Sequence, residues 1–243
     1  MGCVDLGGCE VLLGARGRGA PVVYVIDLPE HPFDVATAAQ GVRATVARVP
    51  VRDWGDSLTP WPAVGLHPGV PGFGGRAEGT LAELADEVMP AVEAAHGLVP
   101  ARRAICGYSL GGLFSLYAFA REGSPFCACA CLSGSVWYEG WVDYLRRACP
   151  DASGRFAYLS IGRKERRSGA PIMRGVQEDL EACAEVLRSS GCSVELVVGP
   201  GGHLQYHTER LAAGLSALDA RLVPPGAPWR SWAARGDLPL GCA

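Results

Sequence analysis

Apolar residues in this 243-residue chain fall into short continuous runs, separated by longer segments where they recur at helical spacing. Continuous runs of this kind are typical of strands buried on both faces of a sheet. The runs lie at residues 21–27, 44–51, 104–106, 127–132, 156–161 and 193–198. Helices are predicted at residues 33–41, 80–92, 113–120, 141–148, 176–187 and 208–222. This alternation predicts an α/β fold with a mostly parallel central sheet and helices on both faces.

Residues 52–79 interrupt this alternation. They are rich in Trp, Pro and Gly and show neither helical nor strand periodicity. Because loops of this length in a compact domain are usually functional or disordered, and aromatic residues favour packing, we predict an ordered loop. Thr80 and Glu83 match a capping box that would begin the next helix, and Pro90 is expected to kink that helix.

The chain is predicted to form a single domain over residues 1–243. A hydrophobic content of 49% is enough for one large core, and no internal repeat or clear boundary divides the sequence. We place the core at about residues 20–222 and predict an irregular tail at 223–243, where Pro and Gly are frequent. Two apolar pieces within residues 1–14 indicate an edge hairpin.

The net charge argues against nucleic acid as a partner, and the lengths of the apolar stretches argue against a membrane-spanning helix. The formal net charge is −3, and no basic cluster is long enough to create a nucleic-acid surface. No stretch approaches 18 uninterrupted apolar residues, which a membrane-spanning helix requires. The first residues lack the charged and apolar regions of a signal peptide. We therefore expect a cytoplasmic protein.

Ten cysteines are distributed along the chain, and three of them alternate along one predicted strand. Cys127, Cys129 and Cys131 are expected to face the same side of that strand. Their C-x-C-x-C spacing differs from the C-x-x-C of zinc ribbons and redox pairs, and no histidine lies nearby to complete a ligand set. We interpret them as small apolar core residues in a reducing compartment and predict no metal site.

The segment Gly107–Gly111 carries the strongest chemical signal. It reads Gly-Tyr-Ser-Leu-Gly, with an apolar run before it and a helical pattern after it. A strand that turns sharply into a helix presents the central serine, Ser109, on an exposed corner, and small flanking residues prevent clashes in the turn. The N–H of Leu110 would then lie at a helix N-terminus, where it can bind a developing oxyanion.

A serine hydroxyl needs a base within hydrogen-bonding reach, and five histidines are available. We favour His203, which follows the last predicted strand in a glycine-rich loop and matches the chain order Ser, acid, His of α/β-hydrolases. His207, four residues later, is the alternative base. The other three lie in early loops or near the end of a surface helix: His31, His67 and His96.

Glu165 is the candidate acid that would orient the imidazole. It follows the predicted strand at 156–161, and the carboxyl ends of parallel strands meet at one edge of a sheet. Glu178 and Asp179, on the next predicted helix, are the alternatives.

Two donors are needed for an oxyanion hole. Besides Leu110, the second is expected in the loop after the strand at 21–27, where Leu28 has an N–H and Pro29 has none. We therefore predict Leu28 as the second donor.

Three segments of the chain resemble the esterase branch of the α/β-hydrolases, which includes esterase D, enterochelin-type siderophore esterases and mycolyltransferases. The resemblance spans roughly residues 20–220. It is carried by residues 107–114, by residues 162–165 with 172–174, and by 201–203. It implies that Ser109 is the nucleophile, His203 the base and Glu165 the acid, with Leu28 and Leu110 as oxyanion donors.

The sequence therefore predicts a serine hydrolase that cleaves a carboxylic ester through an acyl-enzyme, without cofactor or metal. An acyltransferase or a thioesterase would use the same three residues. A non-catalytic, ligand-binding relative of the fold is a further alternative, although the intact candidate triad argues against it.

The expected partner is a small-molecule ester. Trp54, Trp61 and Trp137 lie in loops at the predicted catalytic edge, where aromatic rings would suit an acyl or aryl group. We predict them as substrate-binding residues, with packing of the loops as the alternative role.

Overall fold

A twisted sheet of seven strands forms the centre of the computed structural model, which describes residues 8–14, 17–67, 69–167 and 171–223. The described residues form nine strands, of which seven belong to this sheet: β1 (Glu10–Leu12), β2 (Val22–Asp27), β3 (Thr45–Pro50), β4 (Pro62–Ala63), β5 (Phe73–Gly74), β6 (Arg103–Tyr108), β7 (Ala128–Leu132), β8 (Phe156–Gly162) and β9 (Ser193–Gly199). Their order in the sheet is β1-β3-β2-β6-β7-β8-β9. Within this sheet β1 pairs antiparallel with β3 and the other described neighbours pair parallel, while β4 and β5 form a separate short antiparallel hairpin.

Helices cover both faces of the sheet. They are α1 (Val35–Ala38), α2 (Trp54–Ser57), α3 (Ala77–Glu83), α4 (Met89–Ala95), α5 (Leu110–Ala120), α6 (Trp141–Ala148), α7 (Val176–Ser189) and α8 (His207–Leu222). A π-helical turn joins α3 to α4 at Leu84–Val88, and 3-10 turns lie at Gly17–Gly19, Glu165–Arg167 and Pro171–Met173. The larger core cluster includes residues of α3 to α7, and the smaller one includes residues of α1 and α8.

The predicted α/β architecture with a mostly parallel sheet is confirmed. Each predicted buried strand corresponds to one of β2, β3, β6, β7, β8 and β9. The nearly all-apolar run after the turn at Gly107–Gly111, called the elbow below, forms α5, whose residues from position 111 onward are buried. Such a helix is apolar on every side because it is enclosed between the sheet and other helices.

The segment 52–79 contains more regular structure than its composition predicts. The short helix α2, the hairpin of β4 and β5, and the first residues of α3 all lie within it. These elements are only two to four residues long or begin at its end, so they leave no detectable period in the sequence.

The predicted capping box is wrong. Helix α3 begins at Ala77, three residues before Thr80, and the Thr80 hydroxyl donates to the carbonyl oxygen of Ser57 at 2.7 Å instead. Pro90 lies in the first turn of α4, directly after the π-helical turn. The backbone stays helical across both junctions, so Pro90 lies within a continuous helical stretch, where its missing N–H removes one backbone hydrogen bond.

The three alternating cysteines do not all face one side. Cys129 and Cys131 belong to the larger core cluster, whereas Cys127 precedes β7 and packs in the smaller cluster on the other face. Burial raises the pKa of the Cys129 and Cys131 thiols well above their usual range, so they remain neutral. Among the described residues, no group of three or more His, Cys, Asp or Glu side chains could hold a metal ion.

Two predictions lie partly or wholly outside the described residues. The first half of the predicted hairpin falls within residues 1–7, while β1 at Glu10–Leu12 pairs with β3 rather than with a hairpin partner in the described part. The predicted irregular tail falls on residues 224–243, apart from its first residue. Within the described ranges, no helix has both the length and the apolar content that would be needed to cross a membrane.

Candidate active site

The turn between β6 and α5 holds Ser109 at its corner. The φ and ψ angles of Ser109 are 56° and −120°, a conformation that residues other than glycine rarely adopt outside functional sites. Its N–H donates to the carbonyl oxygen of Leu132 at 3.0 Å, which ties the corner to β7. A Cβ atom on Gly107 would lie 2.2 Å from the carbonyl oxygen of Gly111. The turn therefore requires glycine at position 107.

His203 approaches Ser109 from the glycine-rich loop after β9. Its Nε2 lies 3.0 Å from the Ser109 Oγ. The Tyr108 hydroxyl donates to the carbonyl oxygen of His203 at 2.6 Å, which holds this loop against the end of β6. A neutral imidazole that donates through Nδ1 leaves Nε2 free to accept the serine proton.

Glu165 lies on the far side of this imidazole, in the 3-10 turn after β8. Its Oε2 accepts from the His203 Nδ1 at 2.9 Å. Its Oε1 accepts from the Gly162 N–H at 2.7 Å and the Ser133 hydroxyl at 2.8 Å, and lies 3.2 Å from the Arg210 Nη1. The side chain is 1% exposed. The structure thus joins Ser109, His203 and Glu165 in one continuous chain of hydrogen bonds.

Burial by itself would raise the pKa of Glu165, but its hydrogen bonds have the larger combined effect. Bonds from His203, the Gly162 N–H and Ser133 lower the pKa of this carboxyl below its usual range. The ionised form is therefore favoured in the folded protein, as an acid that orients an imidazolium requires.

Because this pKa is lowered, replacing Glu165 with glutamine should reduce the free energy of unfolding by an amount that depends on pH. The unfolded chain has a Glu pKa of about 4.3, so ionised Glu165 stabilises the fold above that pH, and its contribution is lost as pH falls through the lower folded value. We expect Glu165→Gln to lower the free energy of unfolding by about 3 kcal/mol at pH 7. Below the folded pKa the difference should vanish, because the wild-type carboxyl is then also neutral. Urea unfolding between pH 7 and 3 measures the loss at pH 7 and the narrowing of the difference as the pH falls.

The matched control is Glu185→Gln, which neutralises an exposed carboxylate on α7. We expect its unfolding free energy to follow that of the wild type at every pH, because exposed charges are worth little. A deficit of Glu165→Gln that stayed constant down to pH 3 would contradict the stabilising role of the ionised carboxylate.

The alternative base and acids are not part of this chain of bonds. The Nε2 of His207 lies 3.0 Å from the carbonyl oxygen of His203, and its ring packs edge-on against Tyr108. Glu178 and Asp179 lie in the first turn of α7, and it is Glu165 whose carboxylate bonds to the imidazole.

The two predicted oxyanion donors differ in the hydrogen bonds that their backbone N–H groups make. Leu110 is the first residue of α5, so its N–H has no partner within the helix and lies at the positive end of the helix dipole. The Leu28 N–H donates to the Asp27 Oδ1 at 2.9 Å. The Asp27 carboxylate is fully buried and also accepts from Arg48 at 2.9 Å. An oxyanion would therefore have to share the Leu28 N–H with this carboxylate.

The three predicted substrate-binding tryptophans occupy different environments. The indole edge of Trp54 would contact a Cβ on Gly111 at 3.4 Å, so this ring borders the elbow. The Trp61 Nε1 donates to the carbonyl oxygen of Glu139 at 3.1 Å. Trp137 is 8% exposed and packs against aromatic side chains of the covering loops. Trp54 is therefore the best placed of the three to contact a bound ester.

Sequence reasoning missed Phe33, Ser133 and Arg210. The Phe33 ring lies 6.5 Å from that of Trp54 and 5.6 Å from that of Tyr108, between centroids, so it extends the aromatic wall beside the elbow. Arg210 had a detectable signal, because it is a charged residue on the buried face of the otherwise amphipathic helix α8. Phe33 and Ser133 had none, since their roles depend on contacts between distant segments.

Solved structures with a similar fold include a serine hydrolase and a siderophore hydrolase. An IroE-like serine hydrolase from Shewanella oneidensis matches with a TM-score of 0.71 and 18% identity, covering 86% of this chain and 74% of that one. The siderophore hydrolase EstA from Aspergillus nidulans matches with a TM-score of 0.65 and 20% identity, covering 90% of this chain and 94% of that one. The architecture is the α/β-hydrolase fold.

The sequence comparisons specify the family within this class. The model of the putative esterase family matches residues 15–179, and the chain belongs to that family. The uncharacterised protein YbbA of Bacillus subtilis (strain 168) is 29% identical over 138 residues, which cover 56% of this chain and 55% of YbbA. The chain thus matches about half the length of this curated relative.

Proposed function

We propose that this protein is a serine esterase that hydrolyses a small-molecule carboxylic ester through an acyl-enzyme intermediate. The observation that carries the proposal is the hydrogen-bonded sequence Ser109 Oγ, His203 Nε2, His203 Nδ1 and Glu165 Oε2, with distances of 3.0 and 2.9 Å. Membership of the putative esterase family supports ester chemistry. The fold shared with a serine hydrolase and a siderophore hydrolase is consistent with it.

In the proposed first half-reaction, the Ser109 Oγ attacks the ester carbonyl carbon and its proton passes to the His203 Nε2. Glu165 holds the imidazole through Nδ1 and stabilises the imidazolium that forms. The oxyanion binds at the N-terminus of α5, with Leu110 as one N–H donor and Leu28 as the proposed second. The imidazolium then protonates the leaving alkoxide, and the acyl group remains on Ser109.

The second half-reaction repeats this chemistry with water. His203 removes a proton from a water molecule, which attacks the acyl carbonyl, and returns the proton to the Ser109 Oγ as the carboxylic acid leaves. An acyltransferase or thioesterase differs only in the acceptor or in the leaving group. No step requires a metal or an organic cofactor.

We further propose that the protein works in a reducing compartment such as the cytoplasm. Six buried cysteines within the described residues are free thiols: Cys106, Cys129, Cys131, Cys149, Cys183 and Cys192. Thiols in this number persist where the environment keeps them reduced.

Labelling with a fluorophosphonate probe tests the proposal directly. The probe phosphonylates a serine only when a base activates its hydroxyl, so we expect covalent modification at Ser109 in the folded protein, located by peptide mass spectrometry. Labelling should disappear when the protein is first unfolded in urea. A folded protein that stays unlabelled and does not hydrolyse p-nitrophenyl acetate would favour the non-catalytic alternative.

A further inference from the structure

Arg210 lies in the first turn of α8 and points into the protein below the imidazole. Its side chain is 8% exposed. Nη1 donates to the Tyr108 hydroxyl at 2.8 Å and to the Ser133 hydroxyl at 2.9 Å, and Nη2 donates to the Pro200 carbonyl oxygen at 2.8 Å. Nη1 also lies 3.2 Å from the Glu165 Oε1. One guanidinium therefore contacts the acid and two segments beside it.

These partners connect the guanidinium with the segments that carry all three candidate catalytic residues. Tyr108 directly precedes Ser109, and its hydroxyl in turn donates to the His203 carbonyl oxygen at 2.6 Å. The Arg210 Nη1 also lies 3.3 Å from the carbonyl oxygen of Gly202, the residue before His203. The loop that presents the imidazole and the elbow that presents the serine are thus held by the same group.

The space for this guanidinium depends on a glycine in β8. A Cβ atom on Gly162 would lie 2.2 Å from the Arg210 Nη2 and 3.0 Å from the Glu165 Oε1. The same Cβ would lie 2.5 Å from the Gly201 carbonyl oxygen, so any side chain here would displace the guanidinium and the loop that leads to His203. The glycine at position 162 therefore keeps both groups in contact.

The pairing also contributes to the charge of the acid, in addition to the hydrogen bonds from His203, the Gly162 N–H and Ser133 that lower its pKa. A carboxylate that is 1% exposed needs a buried cation or several hydrogen bonds to remain ionised, because water cannot solvate it. Arg210 carries a permanent charge, whereas Ser133 and the Gly162 N–H contribute dipoles. Titratable groups that face the pair from neighbouring elements are Tyr108 of β6, Cys131 of β7 and Tyr158 of β8, and the His207 ring packs on Tyr108. Exposed cations flank Glu165 in the sequence at Arg163, Lys164 and Arg166.

We propose that Arg210 is the positioning residue of this active site: it places a fixed positive charge beside Glu165 and holds the loop of His203 in register with Ser109. This inference rests on the proposed function. Arg210 does not contact the reacting atoms, and it acts through the acid and through two loop carbonyls.

The test compares the pH dependence of kcat/KM for Arg210→Met, Arg210→Lys and the wild type, with p-nitrophenyl acetate as substrate. Removal of a fixed positive charge beside the Glu165–His203 pair favours the protonated form of that pair. We expect the acid limb of Arg210→Met to move to higher pH by about one unit. Its kcat should fall on the order of 10²-fold even at the optimum, because the triad is no longer held in place, with little change in KM.

Arg210→Lys separates charge from geometry and is informative even if Arg210→Met does not fold. Lysine keeps the charge, so the acid limb should stay at its wild-type position. An ammonium cannot reproduce the planar fork, so kcat should still fall by about tenfold. A wild-type kcat in Arg210→Lys, or an acid limb of Arg210→Met that does not move, would overturn the proposal.

Arg155→Met is the matched control for general loss of stability. Arg155 is also a partly buried arginine, but it donates to the Phe119 and Phe126 carbonyl oxygens at the opposite edge of the sheet. We expect it to lower the melting temperature without moving the pH profile. Failure of the proposed function would be distinct, because the wild-type protein itself would then not hydrolyse the ester.

Discussion

Replacing Ser109 with alanine is expected to reduce kcat/KM for p-nitrophenyl acetate on the order of 10³-fold or more. The hydroxyl is the protein group that bonds to the acyl carbon in the proposed mechanism, so without it the acyl-enzyme cannot form. The residual rate should reflect oxyanion binding and orientation alone. Because Ser109 is only half-buried and alanine removes a single oxygen, we expect the melting temperature to change little, and fluorophosphonate labelling should be lost.

Ser135→Ala is a sharp control for this variant. The Ser135 Oγ lies only 3.5 Å from the Ser109 Oγ, yet it is Ser109 that bonds to the imidazole. We expect Ser135→Ala to retain activity within about tenfold of the wild type. If Ser109→Ala kept its activity while Ser135→Ala lost it, the nucleophile would be Ser135 rather than Ser109.

Replacing His203 with alanine should cost on the order of 10³-fold in kcat/KM as well, because the serine proton then has no acceptor within reach. The loss should be largest near neutral pH. It should diminish in alkaline buffer, where hydroxide can replace the missing base. The measurement is the pH–rate profile of His203→Ala between pH 6 and 10, in parallel with the wild type.

His207→Ala distinguishes the two histidines that the sequence leaves as candidates. Its imidazole contacts the His203 carbonyl oxygen and the Tyr108 ring, so it supports the loop rather than the serine. We expect His207→Ala to retain activity within about tenfold and to lose some thermal stability. A collapse of activity in His207→Ala, with His203→Ala still active, would reverse the proposed assignment of the base.

The elbow was predictable because its conformation depends on residues that are close together in the sequence. Gly107, Ser109 and Gly111 lie within five residues, and a strand followed directly by a helix leaves few conformations for the turn between them. The meeting of Ser109 with Glu165 and His203 was also foreseeable. Each residue follows a buried strand, and parallel strands bring their carboxyl ends to one edge.

The sequence was misleading where a local signal competed with a distant partner. Thr80 and Glu83 have the spacing of a capping box, but the Thr80 hydroxyl finds the Ser57 carbonyl oxygen and the helix begins earlier. The alternation of Cys127 with Cys129 and Cys131 predicts one face, but the strand begins only after Cys127. In both cases a contact or boundary set by another segment overrides the local pattern.

The amino-acid sequence by itself determined the sheet, the order of its strands along the chain, and the residues that could form a triad, because hydrophobic periodicity and turn chemistry act over short distances. Only the tertiary structure decided how those residues are supported. Arg210 reaches the acid from a helix at the far end of the chain, and the Asp27 carboxylate engages the Leu28 N–H beside the elbow. Such pairings depend on which buried charges meet in space, and no spacing along the sequence encodes that distance.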